Sequence, residues 1–235
     1  MAELLTYADP EALARATAAH FAEQATESIR TRGRFAVALS GGTTPRRAYA
    51  LLAEEYGVRI SWRKVHVFCD VQSNVRLARE ELLDHVPIPA ENVHPMNNDL
   101  RPGSAAAVYE QTLRRFFSST PDAGAMAHFD LFLLGMGADG HTASLFPGTA
   151  ALHESVRWVV GHYVEKLGTW RLTLTLPIIN AAAQVTFVVS GKSKARMLKT
   201  VLAERPQRPV VPAQMVQPRH GRLRWMVDAA AAALL

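Results

Sequence analysis

Phe35-Ala36-Val37-Ala38-Leu39-Ser40-Gly41-Gly42-Thr43-Thr44-Pro45 is the stretch on which the fold turns. Five consecutive apolar residues, with no polar face, read as a strand buried on both sides. Two glycines break the run, and Thr44 with Pro45 then reads as the cap and first turn of a helix. Amphipathic spacing continues over 45–55. A buried strand that feeds straight into a helix is half of a βαβ unit, and such units build parallel sheets.

The same grammar recurs in both directions from this stretch. Apolar runs at 65–68, 129–134 and 185–189 read as further buried strands, separated by amphipathic helices at 74–84, 105–117 and 192–202. Upstream, Asp9 caps a helix with Pro10 in its first turn. Ala14, Ala18, Phe21, Ala25 and Ile29 recur at helical spacing, and Gly33 is the stop. Leu172-Thr173-Leu174-Thr175-Leu176 alternates with period two, which predicts a strand with one polar face, and 222–227 predicts a late edge strand. The pattern predicts an α/β fold: a mainly parallel sheet covered by helices on both faces, in one domain over 1–235. Ligands of such sheets bind at the carboxyl ends of strands, so chemistry is expected after Leu39, Phe68, Leu134, Leu176 and Val189.

Bulk composition narrows the classes of function. Of 235 residues, 49% are hydrophobic and 20% charged, enough for a large core and too apolar for extensive disorder. A net charge of +5 favours an anionic partner. The 26 Lys and Arg are scattered, with no basic run interleaved with aromatics, which speaks against nucleic acid and leaves a phosphorylated metabolite as one partner, with a solvated basic surface as the plainer reading. The longest apolar runs are too short for a bilayer, and the first twenty residues lack a basic leader with an apolar block. Cys69 is the sole cysteine, in keeping with a reducing compartment. No membrane association, no secretion and no obligatory protein partner are therefore expected, and the expected location is cytoplasmic.

Four constellations carry chemistry. Ser40-Gly41-Gly42-Thr43 lets backbone approach a ligand closely and aims a helix N-terminus at it, an arrangement suited to phosphate. It lacks the Gly-Lys-Ser/Thr ending of a Walker loop, and a well-capped turn is the plainer alternative. Gly135-Met136-Gly137-Ala138-Asp139-Gly140-His141-Thr142-Ala143-Ser144-Leu145-Phe146-Pro147-Gly148 contains G-x-G-x-x-G. Pro147 and Gly148 would end any helix within about two turns, and no acidic residue closes a strand about twenty residues on, so a dinucleotide site is rejected. What remains is His141 beside Asp139 on a glycine loop, a pairing suited to a general base and acid. Amides around Gly137 to Gly140 are expected to face an oxyanion. Arg171 can offer a guanidinium fork to phosphate, and Lys194 sits in a first helical turn where a bound anion would compensate it. Taken singly, each reads equally well as a surface cation. Metal chemistry finds no support, since the nine histidines include no H-x-x-x-H pair and there is no Cys pair; Gly-x-Ser-x-Gly is also absent, so a serine-nucleophile esterase has no elbow.

In order and spacing, SGGTTP at 40–45, GMGADGHTASLFPG at 135–148, RLTLTLPIIN at 171–180 and GKSKARML at 191–198 closely resemble the 6-phosphogluconolactonase family. The resemblance runs from about Phe35 to Val227 and extends to a superfamily shared with glucosamine-6-phosphate deaminases and sugar-phosphate isomerase-like regulators. It implies a Rossmann-like, NagB-type fold, hydrolysis of a phosphorylated sugar lactone, and no cofactor. It also implies that His141 is the catalytic base and acid, with Asp139 and Asp70 in the catalytic set. The phosphate would lie on Ser40, Gly41, Gly42 and Thr43, helped by Arg171 and Lys194, with Gly137 and Gly140 in the substrate site. The deaminase version of the His loop continues into Asn-Glu-Pro, whereas Ser144-Leu145-Phe146-Pro147 holds no carboxylate, which favours the lactonase branch. One departure stands out. The family reads Asp-Glu-Arg, a Val-Pro loop and then Ser-Asn after its second strand, and this chain reads Asp70-Val71-Gln72-Ser73-Asn74. The Arg that would line the family's site is missing there. This keeps open two alternatives: an amino-sugar-6-phosphate deaminase or isomerase, and a non-catalytic sugar-phosphate-binding protein. The regulators usually carry a helix-turn-helix domain, for which the residues before Phe35 are too few.

Overall fold

Each apolar run forms a strand whose alternate side chains enter opposite layers. The computed structural model describes residues 2–69, 72–96, 100–118, 128–203 and 210–235. In chain order its elements are β1 (Glu3–Tyr7), α1 (Pro10–Arg32), β2 (Phe35–Leu39), α2 (Thr43–Tyr56), β3 (Val65–Cys69), α3 (Gln72–Glu81), β4 (Val93–Pro95) and α4 (Pro102–Ser118). There follow β5 (Leu131–Leu134), β6 (Val159–Val164), β7 (Thr169–Leu174), α5 (Leu176–Ile179), β8 (Gln184–Val189), α6 (Ala195–Leu202), α7 (Pro212–Met215) and β9 (Arg222–Asp228). Seven strands make one sheet in the order β1-β9-β8-β5-β2-β3-β4, and every neighbouring pair is parallel.

Because side chains alternate along a strand, β2 sends Phe35, Val37 and Leu39 to one face and Ala36 and Ala38 to the other. The first face packs on α1, α2 and α3 through Leu13, Phe21, Leu51, Leu52 and Leu82. The second meets α4 and the short helices α5, α6 and α7, together with the antiparallel hairpin β6–β7. Phe187 and Trp225 stack there with centroids 4.0 Å apart, joining β8 to β9.

The end of α1 follows its sequence signals. Asp9 accepts a hydrogen bond from the Ala12 amide at 2.8 Å, and Gly33 takes a left-handed conformation at the C-terminus. Three expectations are corrected. The strand expected at the sheet edge, β9, lies inside it, because residues 3–7 form β1 and cover its outer side. The alternating stretch at 172–176 does not show a polar face to water: Thr173 and Thr175 are fully buried, and the strand pairs with β6 outside the main sheet. The cap of α2 is Gly42 and not Thr44, which is the second residue of the helix; Pro45, the third, lies in the first turn as expected. No helix among the described residues is long and apolar enough to cross a membrane.

Chain order reverses between β2 and β5. From β2 the chain steps to β3 and β4 on one side, and from β5 it moves to β8 and β9 on the other. Loops leaving the carboxyl ends of these two adjacent strands part in opposite directions and open a crevice, the usual ligand position in such sheets.

Candidate functional site

The two glycine loops flank this crevice. Register pairs Ala38 of β2 with Phe132 of β5, and Leu134 of β5 with Phe187 of β8. Residues 40–43, 135–148 and 190–194 therefore emerge side by side at one end of the sheet.

On the first loop, the Tyr49 hydroxyl donates to the Ser40 carbonyl at 2.7 Å and ties the turn to α2. Gly42 has no side chain to cap the helix, so the first amides of α2 are left for a ligand or water. The Asn74 side chain of α3 lies so close to Gly41 that no Cβ fits between them. Gly42 and Thr43 are exposed, and Ser40 and Gly41 half-buried.

The second loop contains no helix. It is a knot of short hydrogen bonds: the Gly137 amide donates to the His141 carbonyl at 2.8 Å, and the Gly140 amide to the Gly137 carbonyl at 3.0 Å. The Gly137 and Gly140 amides are thus engaged inside the loop. Gly137 serves another purpose, since any Cβ there would run into the His141 ring and the Asp139 carboxylate. Ala143 adopts φ 48°, a left-handed conformation that costs a non-glycine residue about 1 kcal/mol or more. Its neighbours hold it. The Thr142 hydroxyl donates to the Gly135 carbonyl, the Ser144 amide donates to the Thr173 hydroxyl, and His162 Nε2 lies 2.8 Å from the Ser144 carbonyl.

His141 Nδ1 is 2.6 Å from Asp139 Oδ1, and its ring stacks on Phe146 with centroids 4.3 Å apart. Lys166 Nζ donates to Asp139 Oδ2 at 2.5 Å. Burial acts to raise the Asp139 pKa, but the hydrogen bonds from Lys166 and from the His141 side chain and amide outweigh it, holding the carboxyl well below its usual range. Asp139 is therefore a permanent anion at neutral pH. A third of the His141 side chain remains exposed, so substrate and water can reach it.

Arg171 lies on the face of β7 that carries Thr173, and its cross-strand partner is His162. Both of those residues contact Ser144, which puts Arg171 at the edge of the His loop. Lys194 is half-buried at the start of α6, whose Met197 packs toward Gly140. Among the described residues neither Arg171 nor Lys194 has a carboxylate partner. Of the sequence-derived site, Ser40, Gly41, Gly42, Thr43, Gly137, Asp139, Gly140, His141, Arg171 and Lys194 gather around the crevice, and Asp70 falls outside the described residues. Lys166 and the support from His162 and Thr173 carried no local sequence signal, because each contact joins segments far apart in the chain; the Phe146 stack is local to the His loop, but nothing in the residue pattern marked it. No cluster of metal-ligating side chains occurs among the described residues.

A cleft of about 500 Å³ opens at the first loop, lined in part by Asp9, Glu11, Thr43, Thr44, Arg47 and Ser190. On its rim Arg47 is paired with Glu11 and Glu54.

Comparison with known proteins agrees with this geometry. Residues 8–225 match the family described as glucosamine-6-phosphate isomerases/6-phosphogluconolactonase. The chain is 43% identical over 219 residues to a 6-phosphogluconolactonase of Nostoc sp., covering 88% of each chain. It is 37% identical over 247 residues to that of Rattus norvegicus, covering 97% of this chain and 92% of the relative. A solved 6-phosphogluconolactonase from Trypanosoma cruzi superposes with a TM-score of 0.86 at 27% identity, over 100% of this chain and 97% of that one. The chain belongs to the glucosamine-6-phosphate isomerase/6-phosphogluconolactonase family.

Proposed function

We propose that this protein hydrolyses 6-phospho-D-glucono-1,5-lactone to 6-phospho-D-gluconate, as a single cytosolic domain whose proton carrier is His141. The observation that carries the reading is a solvent-accessible imidazole held at Nδ1 by an anionic Asp139, supported by two cations, Arg171 and Lys194, that have no carboxylate partner among the described residues. An Nδ1–H that donates to Asp139 leaves the Nε2 lone pair free. Nε2 takes a proton from water as the water oxygen attacks the lactone carbonyl carbon. When the bond from that carbon to the ring oxygen breaks, Nε2–H returns the proton to the departing alkoxide. The phosphate rests on the first amides of α2 with Arg171 and Lys194 as counter-charges. Phe146 occupies the position beside His141 with an apolar ring, and Ser144 to Pro147 supply no second carboxylate for aldose–ketose proton transfers.

The test compares phosphorylated and unphosphorylated gluconolactone, with spontaneous hydrolysis subtracted. The phosphorylated lactone should be strongly preferred, and Arg171→Ala and Lys194→Ala should each weaken its binding by about 1.5–3 kcal/mol. Equal efficiency with both lactones would sink the anion site. Ammonia release from glucosamine 6-phosphate would instead indicate the deaminase branch, and phosphogluconate binding without turnover a sensor.

A further inference from the structure

We propose that Lys166 is a positioning residue for His141, acting through Asp139. The inference rests on the hydrolytic reading above for its kinetic consequence, but its structural basis is independent of it. Asp139 uses its two carboxylate oxygens for different partners. Oδ1 accepts from the His141 ring at 2.6 Å and from the His141 amide at 3.2 Å, while Oδ2 accepts from Lys166 at 2.5 Å. A carboxylate held at one oxygen still swings about its last torsion. Held at both, it has a fixed plane.

Lys166 comes from the turn joining β6 and β7, closed by a left-handed Gly168. The hairpin is itself fastened to the His loop, since His162 and Thr173 both contact Ser144. The turn thus presents Lys166 at a set distance rather than as a freely waving surface cation. Lys166 is 65% exposed, which by itself would make an ion pair nearly worthless, but its partner Asp139 is only 24% exposed and cannot choose another cation freely.

The consequence lies in the imidazole tautomer. With the carboxylate plane fixed and Oδ1 aimed at the ring, the proton resides on Nδ1 and Nε2 stays able to accept one. Loss of Lys166 frees Oδ2 to water, lets the carboxylate turn, and populates the Nε2–H form, which cannot act as the base. Because this route does not touch the substrate, it lowers turnover without weakening binding.

Lys166→Met and Lys166→Arg, compared with the parent by ¹⁵N NMR of the histidine ring at a pH where the ring is neutral, test the idea. His141→Asn assigns the signal. The parent should show an Nδ1–H tautomer, Lys166→Met a mixture, and Lys166→Arg a spectrum close to the parent. In kinetics, kcat of Lys166→Met should fall about 3- to 10-fold with KM within a factor of two, and Lys166→Arg should recover most of it. A parental tautomer in Lys166→Met overturns the proposal. So does a raised KM at unchanged kcat, which would make Lys166 a substrate ligand. A parent without lactonase activity would overturn the proposed function while leaving the tautomer comparison to decide the role of Lys166.

Discussion

His141 is held by three neighbours in its own loop: Asp139 at Nδ1, Phe146 under the ring, and Gly137, whose missing Cβ leaves room for the imidazole and the Asp139 carboxylate. On the proposed mechanism none of them can take the proton from water in place of Nε2, so removal of the imidazole removes the base itself. His141→Asn is expected to lose about 10²–10⁴-fold in turnover while still binding phosphogluconate, because Asn keeps polarity without basicity. Turnover measured against the uncatalysed background, alongside calorimetric binding of phosphogluconate, checks both halves. Near-parental turnover would remove His141 from the mechanism, and an unfolded variant would make it a structural residue. The pairing of His141 with Asp139 was legible from adjacency on a glycine loop. The pairing of Asp139 with Lys166 was not, because 27 residues and a hairpin separate them.

Among the secondary elements, α1 carries the clearest titrating contact away from the site. His20, buried on α1, places Nε2 3.0 Å from the Thr186 hydroxyl of β8 and accepts at Nδ1 from Arg224 of β9 at 2.8 Å. Burial, and then the Arg224 charge, lower its pKa to about 4, against an ordinary value of 6.5. The folded state therefore holds His20 neutral, while the unfolded chain binds a proton below pH 6.5. Stability falls as pH drops from 6.5 toward 4 and levels off below. Between pH 7 and 5 this side chain should account for about 2 kcal/mol of lost stability. His20→Gln, which keeps a donor and an acceptor but cannot ionise, should flatten that slope in urea titrations at the two pH values. An unchanged slope would assign the acid sensitivity elsewhere. The period-two alternation that identified β7 correctly as a strand misjudged its environment, since alternation marks two different faces without saying that the polar one meets water. Thr173 is buried because it holds Ser144.

At the scale of the whole molecule, the sheet closes through its first strand. β1 hydrogen-bonds to β9 over five residue pairs from Glu3–Arg224 to Tyr7–Asp228, and Arg224 also forms an ion pair with Glu3. Without β1, the backbone groups along one side of β9 would be unpaired, an invitation to edge-to-edge association. Deletion of residues 1–8 is expected to lower the denaturation midpoint and to produce oligomers on size-exclusion chromatography, with lactonase activity per folded monomer kept, because the crevice lies between β2 and β5. A monomeric, equally stable truncation would show that β1 is dispensable.

Local patterning by itself determined the α/β class, the buried strands β2, β3, β5 and β8, the helices between them, and the two glycine loops, since apolar periodicity and turn chemistry act over a few residues. Strand order needed the tertiary structure. Apolar strands are interchangeable by pattern, and only the packing of two complete layers decides that β9 lies inside the sheet and that residues 3–7 cover it. The same holds at the site. Residue chemistry marked His141, Asp139, Arg171 and Lys194, while the placing of the two glycine loops side by side depends on β2 and β5 being neighbours in the sheet. The support from Lys166, His162 and Thr173 depends on where a hairpin outside the main sheet comes to rest. A side chain's type is local, but its partner is set by distance in space, and only the folded chain fixes that.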